Sequence, residues 1–253
     1  RISDGELPRM RVYAYNYTSP PRDGGLSNDI IAHEYTHGLT TRLTGGPSNA
    51  DCLAEGESLG LAEGWSDFAA IWLQASALVG SSNQTSTTPV PHAPGHGINV
   101  GTYVNRRGLR LYDYSTDPLY NPTNYGLLNE TYWQEAHNTG MIWCEMLYEM
   151  YWQLVDNTLG ATTQVQVPDL KWGNTLTLQI IVDALKLQPC RPTFLTARQA
   201  IFLAEQRLTG GKYRCIIWKA FAKRGLGVDA RPVVSNSTIS FTSNAVPNDC
   251  SSA

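Results

Sequence analysis

The chain is poor in charge, histidine and cysteine: of 253 residues, 16% are Asp, Glu, Lys or Arg, and there are five His and five Cys. Nineteen basic against 22 acidic residues give a formal charge of -3 without a dense Lys/Arg cluster, which excludes the electrostatic footprint of a nucleic-acid partner. Long apolar runs are missing too. The longest, Phe68 to Val79, is broken by Gln74 and Ser76 and falls short of the roughly 20 residues of a bilayer span, so the chain reads as soluble, with no membrane partner. Five Cys without Cys-x-x-Cys spacing exclude a disulfide scaffold and speak against a thiolate metal site. Their odd number leaves at least one unpaired. Cys144 lies in an apolar helical run and reads as a buried free thiol, while Cys52, Cys190, Cys215 and Cys250 allow three pairings. No Gly-x-Ser-x-Gly elbow is present, no pattern supports Cys/His catalysis, and no internal repeat is visible.

The composition present is that of a folded protein, since 42% hydrophobic residues suffice for the core of one large or two smaller domains. Arg9 to Tyr17 alternates Met10, Val12 and Ala14 with Tyr13, Tyr15 and Tyr17, which predicts a strand. After the Pro20-Pro21-Arg22-Asp23-Gly24-Gly25 turn, Ser27 or Asn28 can cap a helix that Gly45-Gly46-Pro47 stops. Further helical patterns run over about 58–79, 130–156, 174–187, 193–208 and 213–224, with a long surface loop at 80–101. Thr238 to Phe241 could add a short strand.

His33-Glu34-Tyr35-Thr36-His37 carries the strongest chemical signal. Residues four apart project from one helix face, so both imidazoles can reach one metal ion, while Glu34, about 100° around from His33, can contact a metal-bound water. A catalytic zinc usually takes three protein ligands and leaves one position open, so a third donor is required. Glu63, in Leu59-Gly60-Leu61-Ala62-Glu63-Gly64-Trp65-Ser66-Asp67 on the next predicted helix, is the leading candidate. Leu61, Ala62, Trp65, Phe68 and Ala69 around it argue for burial, and a buried acid needs a partner. Asp67, one turn further on the same face, could accept the remaining ring N–H of a ligand histidine and fix its tautomer. His92 and His96 share the four-residue spacing, but Pro94 and Gly95 break any helix between them, and they read as solvated loop residues. Arg106-Arg107-Gly108-Leu109-Arg110 receives no role.

Five segments together resemble the fungalysin zinc metalloendopeptidases, extracellular relatives of thermolysin: Arg9-Met10-Arg11-Val12-Tyr13, Arg22-Asp23-Gly24, His33 through Pro47, Glu63-Gly64-Trp65-Ser66-Asp67, and Trp218 through Gly227. The resemblance implies that His33, His37 and Glu63 bind one Zn2+ and that Glu34 is the catalytic acid/base. It aligns His137 with a histidine that donates to the oxyanion of the tetrahedral intermediate, and it leaves Tyr112 and Tyr114 as candidates for a second donor. Hydrolysis would proceed by direct attack of zinc-activated water, with Glu34 taking its proton and returning one to the departing amine, and without an acyl-enzyme.

The implied fold is α+β and predominantly α-helical: a thermolysin-like zinc-bearing helical lobe with a small N-terminal β element, with residues 1–253 as the catalytic domain. The family's β-rich lobe precedes the zinc helix, and only 32 residues come before His33, so most of that lobe and the inhibitory propeptide are expected to be missing. With Arg1 in place of Met, the chain reads as a processed product or part of something longer. Sequons at Asn16, Asn83, Asn129 and Asn236 favour a secreted, extracellular glycoprotein, and the resemblance implies one made as a zymogen. Calcium, common in thermolysin relatives, finds no EF-hand spacing and stays without support. The expected partners are protein or peptide substrates, and its own propeptide or a separate N-terminal lobe. The alternative is a zinc-binding but inactive module, or a fragment that needs that lobe.

Overall fold

A computed structural model describes residues 5–81, 97–162, 168–232 and 241–251. In chain order the regular elements are strands β1 (Ala14–Tyr15) and β2 (Arg22–Asp23), then helices α1 (Asn28–Leu43), α2 (Gly56–Ser81), α3 (Ala136–Asp156), α4 (Gly173–Leu187), α5 (Phe194–Thr209) and α6 (Arg214–Lys223). Helices account for 53% of the structure, which is the predominantly helical α+β class expected from the sequence.

Apolar side chains ring α3 on every side, the pattern of a helix enclosed by others. From Thr139 to Val155 every residue except Gln153 is buried. Helix α2 packs along one flank of α3, α4 and α6 along others, α1 lies on α2, and α5 pairs with α4. Trp143 is the hub: its ring meets Trp65 of α2 edge-on at 5.0 Å, Phe194 of α5 at 5.1 Å and Phe221 of α6 at 5.8 Å. Two disulfides, Cys52–Cys190 and Cys215–Cys250, tie the loop after α1 to the start of α5 and the C-terminal segment to α6, and Cys144 is a buried free thiol.

Several predicted boundaries move. Of the Arg9–Tyr17 alternation only Ala14–Tyr15 is strand, paired antiparallel with Arg22–Asp23. Alternation specifies a strand where one face is covered, but here Met10 and Tyr13, on opposite faces, are 49% and 65% exposed, and a two-residue ladder is all that forms. Helix α3 begins at Ala136 instead of near Glu130. Two short 3-10 turns precede it, and Glu135 caps it by accepting from the Asn138 backbone N–H at 3.1 Å. Most of the expected 80–101 loop, with His92, His96 and Asn83, lies outside the described residues, as do Asn236 and Thr238 to Ser240. Of the remaining sequon asparagines, Asn16 is exposed and Asn129 half-buried.

The α2–α3 crossing is close because glycine faces glycine. A Cβ on Gly64 would sit 2.7 Å from the Gly140 carbonyl oxygen and 2.8 Å from Trp143 Cβ, and one on Gly140 would sit 2.5 Å from Glu63 Cβ. Gly64→Ala is therefore expected to lower stability by about 1–3 kcal/mol, as overpacked cores do, which urea denaturation would measure.

Candidate metal centre

Ile30, His33, Thr36 and Thr40 recur at three- and four-residue intervals and are the buried positions of α1. That face lies against α2, so His33 is carried inward, and His37, one turn later, follows it half-buried. From α2, Glu63 comes to meet them. One ligand atom from each of His33, His37 and Glu63 lies within 4.8 Å of the others, a group able to hold a metal ion. The His33 and His37 Nε2 atoms are 3.1 Å apart, and Glu63 Oε2 and Oε1 lie 3.2 and 3.5 Å from them respectively.

The tautomers show what such a cluster requires. Asp67 Oδ1 is 2.7 Å from His33 Nδ1, and because an ionised carboxylate only accepts, Nδ1 carries the proton. The neutral ring then turns the lone pair of Nε2 toward His37 Nε2 and Glu63 Oε2. Glu63 Oε2 is buried and without a hydrogen-bond partner, and lone pairs pointed at one another in a dry site demand a positive charge between them. Titration gives the same answer. Burial would depress the His33 imidazole, yet Asp67 and Glu63 beside it raise its pKa to about 9; burial would raise Glu63, yet His33 and His37 hold it well below the carboxylate range. The field favours one cation here, a proton or a metal ion, and two imidazoles with one carboxylate are the donor set of tetrahedral zinc.

Glu34 lies on α1 next to His33, half-buried. Its charge and that of Arg110 both reach the phenol of Tyr15 on β1, so the β element borders the same space. His137, in the first turn of α3, is exposed, with Nε2 at 3.5 Å from Glu63 Oε2 and Nδ1 donating to Glu135 Oε1 at 2.8 Å. The structure thus gathers His33, Glu34, His37, Glu63, Asp67 and His137 around one spot.

Two expectations change. Tyr114, a candidate second oxyanion donor, is fully buried, and its hydroxyl donates to Asp67 Oδ2 at 2.5 Å; Tyr112 stacks on Trp133 with ring centroids 6.5 Å apart. Arg110, left without a role, grips Asp67 with Nε to Oδ2 at 2.6 Å and Nη2 to Oδ1 at 2.8 Å. Its pairing is between residues 43 positions apart on an irregular segment, and no local periodicity signals such a contact. The Glu135–His137 contact has a local signal, the two-residue spacing of an acid and a histidine at a helix start.

Two helices thus present two histidines and a carboxylate to one point, the arrangement of a helix-borne metal centre. The family model of fungalysin metallopeptidase (M36) matches residues 1–230, and the chain belongs to that family. It is 44% identical over 231 residues to extracellular metalloproteinase NpIII of Aspergillus oryzae, covering 90% of this chain and 34% of that protein. It is 42% identical over 254 residues to extracellular metalloproteinase 4 of Arthroderma gypseum, covering 98% of this chain and 37% of that one. The chain thus spans about a third of the length of these curated relatives.

Burial would raise the Asp67 carboxyl, but Arg110 and His33 hold it well below the carboxylate range. A carboxyl with a depressed folded pKa stabilises the fold above its unfolded value, about 3.9, and that contribution is lost as pH falls toward the folded one. Metal-free wild type is expected to lose stability below about pH 4, and Asp67→Asn to be less stable at neutral pH with a flatter acid limb. Urea melts across pH would check both.

Proposed function

We propose that the chain is the metal-bearing part of a secreted, extracellular zinc-dependent endopeptidase, in which His33, His37 and Glu63 hold one Zn2+. The observation that carries the reading is the convergence of one ligand atom each from His33, His37 and Glu63, with Glu63 Oε2 buried and without a hydrogen bond. Bound zinc supplies a Lewis acid for water and for the scissile carbonyl.

The chain's own groups do the rest. Glu34, one residue from a ligand and only half-buried, takes the proton of the attacking water on its carboxylate and delivers it to the departing amine nitrogen, so one acid serves both halves of peptide hydrolysis. His137 donates from Nε2 to the developing oxyanion, while Glu135 on Nδ1 holds the ring in place. Asp67 fixes the His33 tautomer so that Nε2 is free for the ion. Substrates are proteins or peptides. Residues 1–253 belong to the catalytic domain, the exposed Asn16 is a glycan acceptor, and a propeptide or a separate lobe is the expected protein partner.

That the chain spans about a third of its relatives supports a second reading, in which it binds zinc but needs the remainder for turnover. A quenched fluorescent peptide library separates the two. Chelator-sensitive cleavage by the 253-residue chain is expected from the first, and bound zinc without cleavage would move the assignment to the second.

Glu34→Gln is expected to keep its zinc and lose at least about 100-fold in turnover. In contrast, Glu63→Ala should lose zinc affinity beyond the roughly 10–100-fold cost of removing an outer partner. Full activity in zinc-loaded Glu34→Gln would sink the mechanism.

A further inference from the structure

Asp67 is wholly buried and fully subscribed. Oδ1 accepts from His33 Nδ1 at 2.7 Å and from Arg110 Nη2 at 2.8 Å; Oδ2 accepts from Arg110 Nε at 2.6 Å and from the Tyr114 hydroxyl at 2.5 Å. Tyr114 has none of its surface exposed, and its hydroxyl also contacts the thiol of Cys144 on α3. Its backbone is fixed independently, with N–H and C=O both bonded to Ile98 at 2.8 and 3.1 Å. The next residue, Ser115, gives its carbonyl to Arg224 Nη2 at 2.7 Å and its N–H to Glu145 of α3 at 3.2 Å. Rigid backbone on both sides leaves the phenol no alternative aim.

We propose that Tyr114 is a positioning residue of the metal centre: its hydroxyl, opposite the Arg110 fork, locks the Asp67 carboxylate so that Oδ1 points at His33 Nδ1 and His33 Nε2 points at the ion. The inference rests on His33 being a metal ligand. The physical ground is that a two-pronged guanidinium and its carboxylate can still tilt together as one planar unit, so a donor from a different residue adds a restraint that Arg110 does not supply. Tyr114, which also contacts Cys144 of α3, brings that donor to Oδ2. An outer partner of this kind acts through the orientation and basicity of the ligand it supports, not through contact with substrate.

The test is zinc affinity, read by competition with a fluorescent chelator on the 253-residue chain, with melting of the metal-free protein measured alongside. Tyr114→Phe removes one oxygen and keeps the ring. It is expected to weaken zinc about tenfold, and to add no further loss in an Asp67→Asn background, because it acts through that carboxylate. A folded Tyr114→Phe that binds zinc within about twofold of wild type overturns the proposal, as do losses that multiply in the double variant. If Tyr114→Phe does not fold, Arg110→Lys, which keeps the charge and gives up the fork, is expected to weaken zinc in the same direction; failure of both to fold assigns the pair to the fold alone and overturns the proposal. Wild type without measurable zinc affinity overturns the metal reading and this inference with it, whereas normal wild type and an unaffected variant remove only the role of Tyr114.

Discussion

The near-contact of the α2 and α3 backbones at Gly64 and Gly140 sets the geometry of everything around the centre. With no Cβ between them, the helices approach until Glu63 Cβ stands over Gly140, and His137, one turn earlier on α3, comes within 3.5 Å of the Glu63 carboxylate. The same approach seats Trp65 against Trp143 and so couples the position of Glu63 to the largest aromatic cluster of the core. Helix α1, which also packs on α2, adds its two histidines. Rigid helices, not loops, therefore carry all three candidate ligands, which is how a constellation is held to within a fraction of an ångström.

On α2 and α3 buried charge follows a simple rule with one exception. Four acids on α2 and α3 face the interior: Glu63, Asp67, Glu145 and Glu149. Arg110 answers Asp67, and Arg224 answers both Glu145 and Glu149 at 2.8 Å, with Lys223 adding a bond to Glu149. Arg224 also binds the carbonyls of Ser115, Asn121 and Thr123, so the segment bracing Asp67 at one end is clamped to α3 at the other. A buried carboxylate costs several kcal/mol unless paired, and three of the four are paired with guanidinium. Glu63 has only imidazoles for neighbours within ion-pair distance among the described residues. The deficit is local, and it lies where a cation would be held.

The sequence disclosed what periodicity and short spacing can encode. The one-turn separation of His33 and His37, the same separation of Glu63 and Asp67, the helical runs and the buried Cys144 all follow from 3.6 residues per turn and apolar flanks. What stayed hidden depends on tertiary partners. Arg110 and Tyr114 sit on irregular backbone and meet Asp67 only because the 97–124 segment folds back over α2. The disulfide pairing was one of three until the chain closed on itself. The Arg9–Tyr17 alternation shows the converse, since its pattern is local and among the described residues only Arg22–Asp23 pairs with it.

These facts divide the site into two parts with different dependence on their surroundings. The cation-demanding part rests on few elements: α1 and α2 bring the three ligand candidates, the 97–124 segment braces Asp67, and Arg224 secures that segment. The part around Glu34 and His137 is more open. Glu34 and His137 are half-buried and exposed, and the β element on the Glu34 side is a two-residue ladder whose Tyr13 and Tyr17 are 65% and 61% exposed. Holding a metal ion calls only on the first part, so it is set by α1, α2 and the segment that braces Asp67, independently of what covers Glu34 and His137.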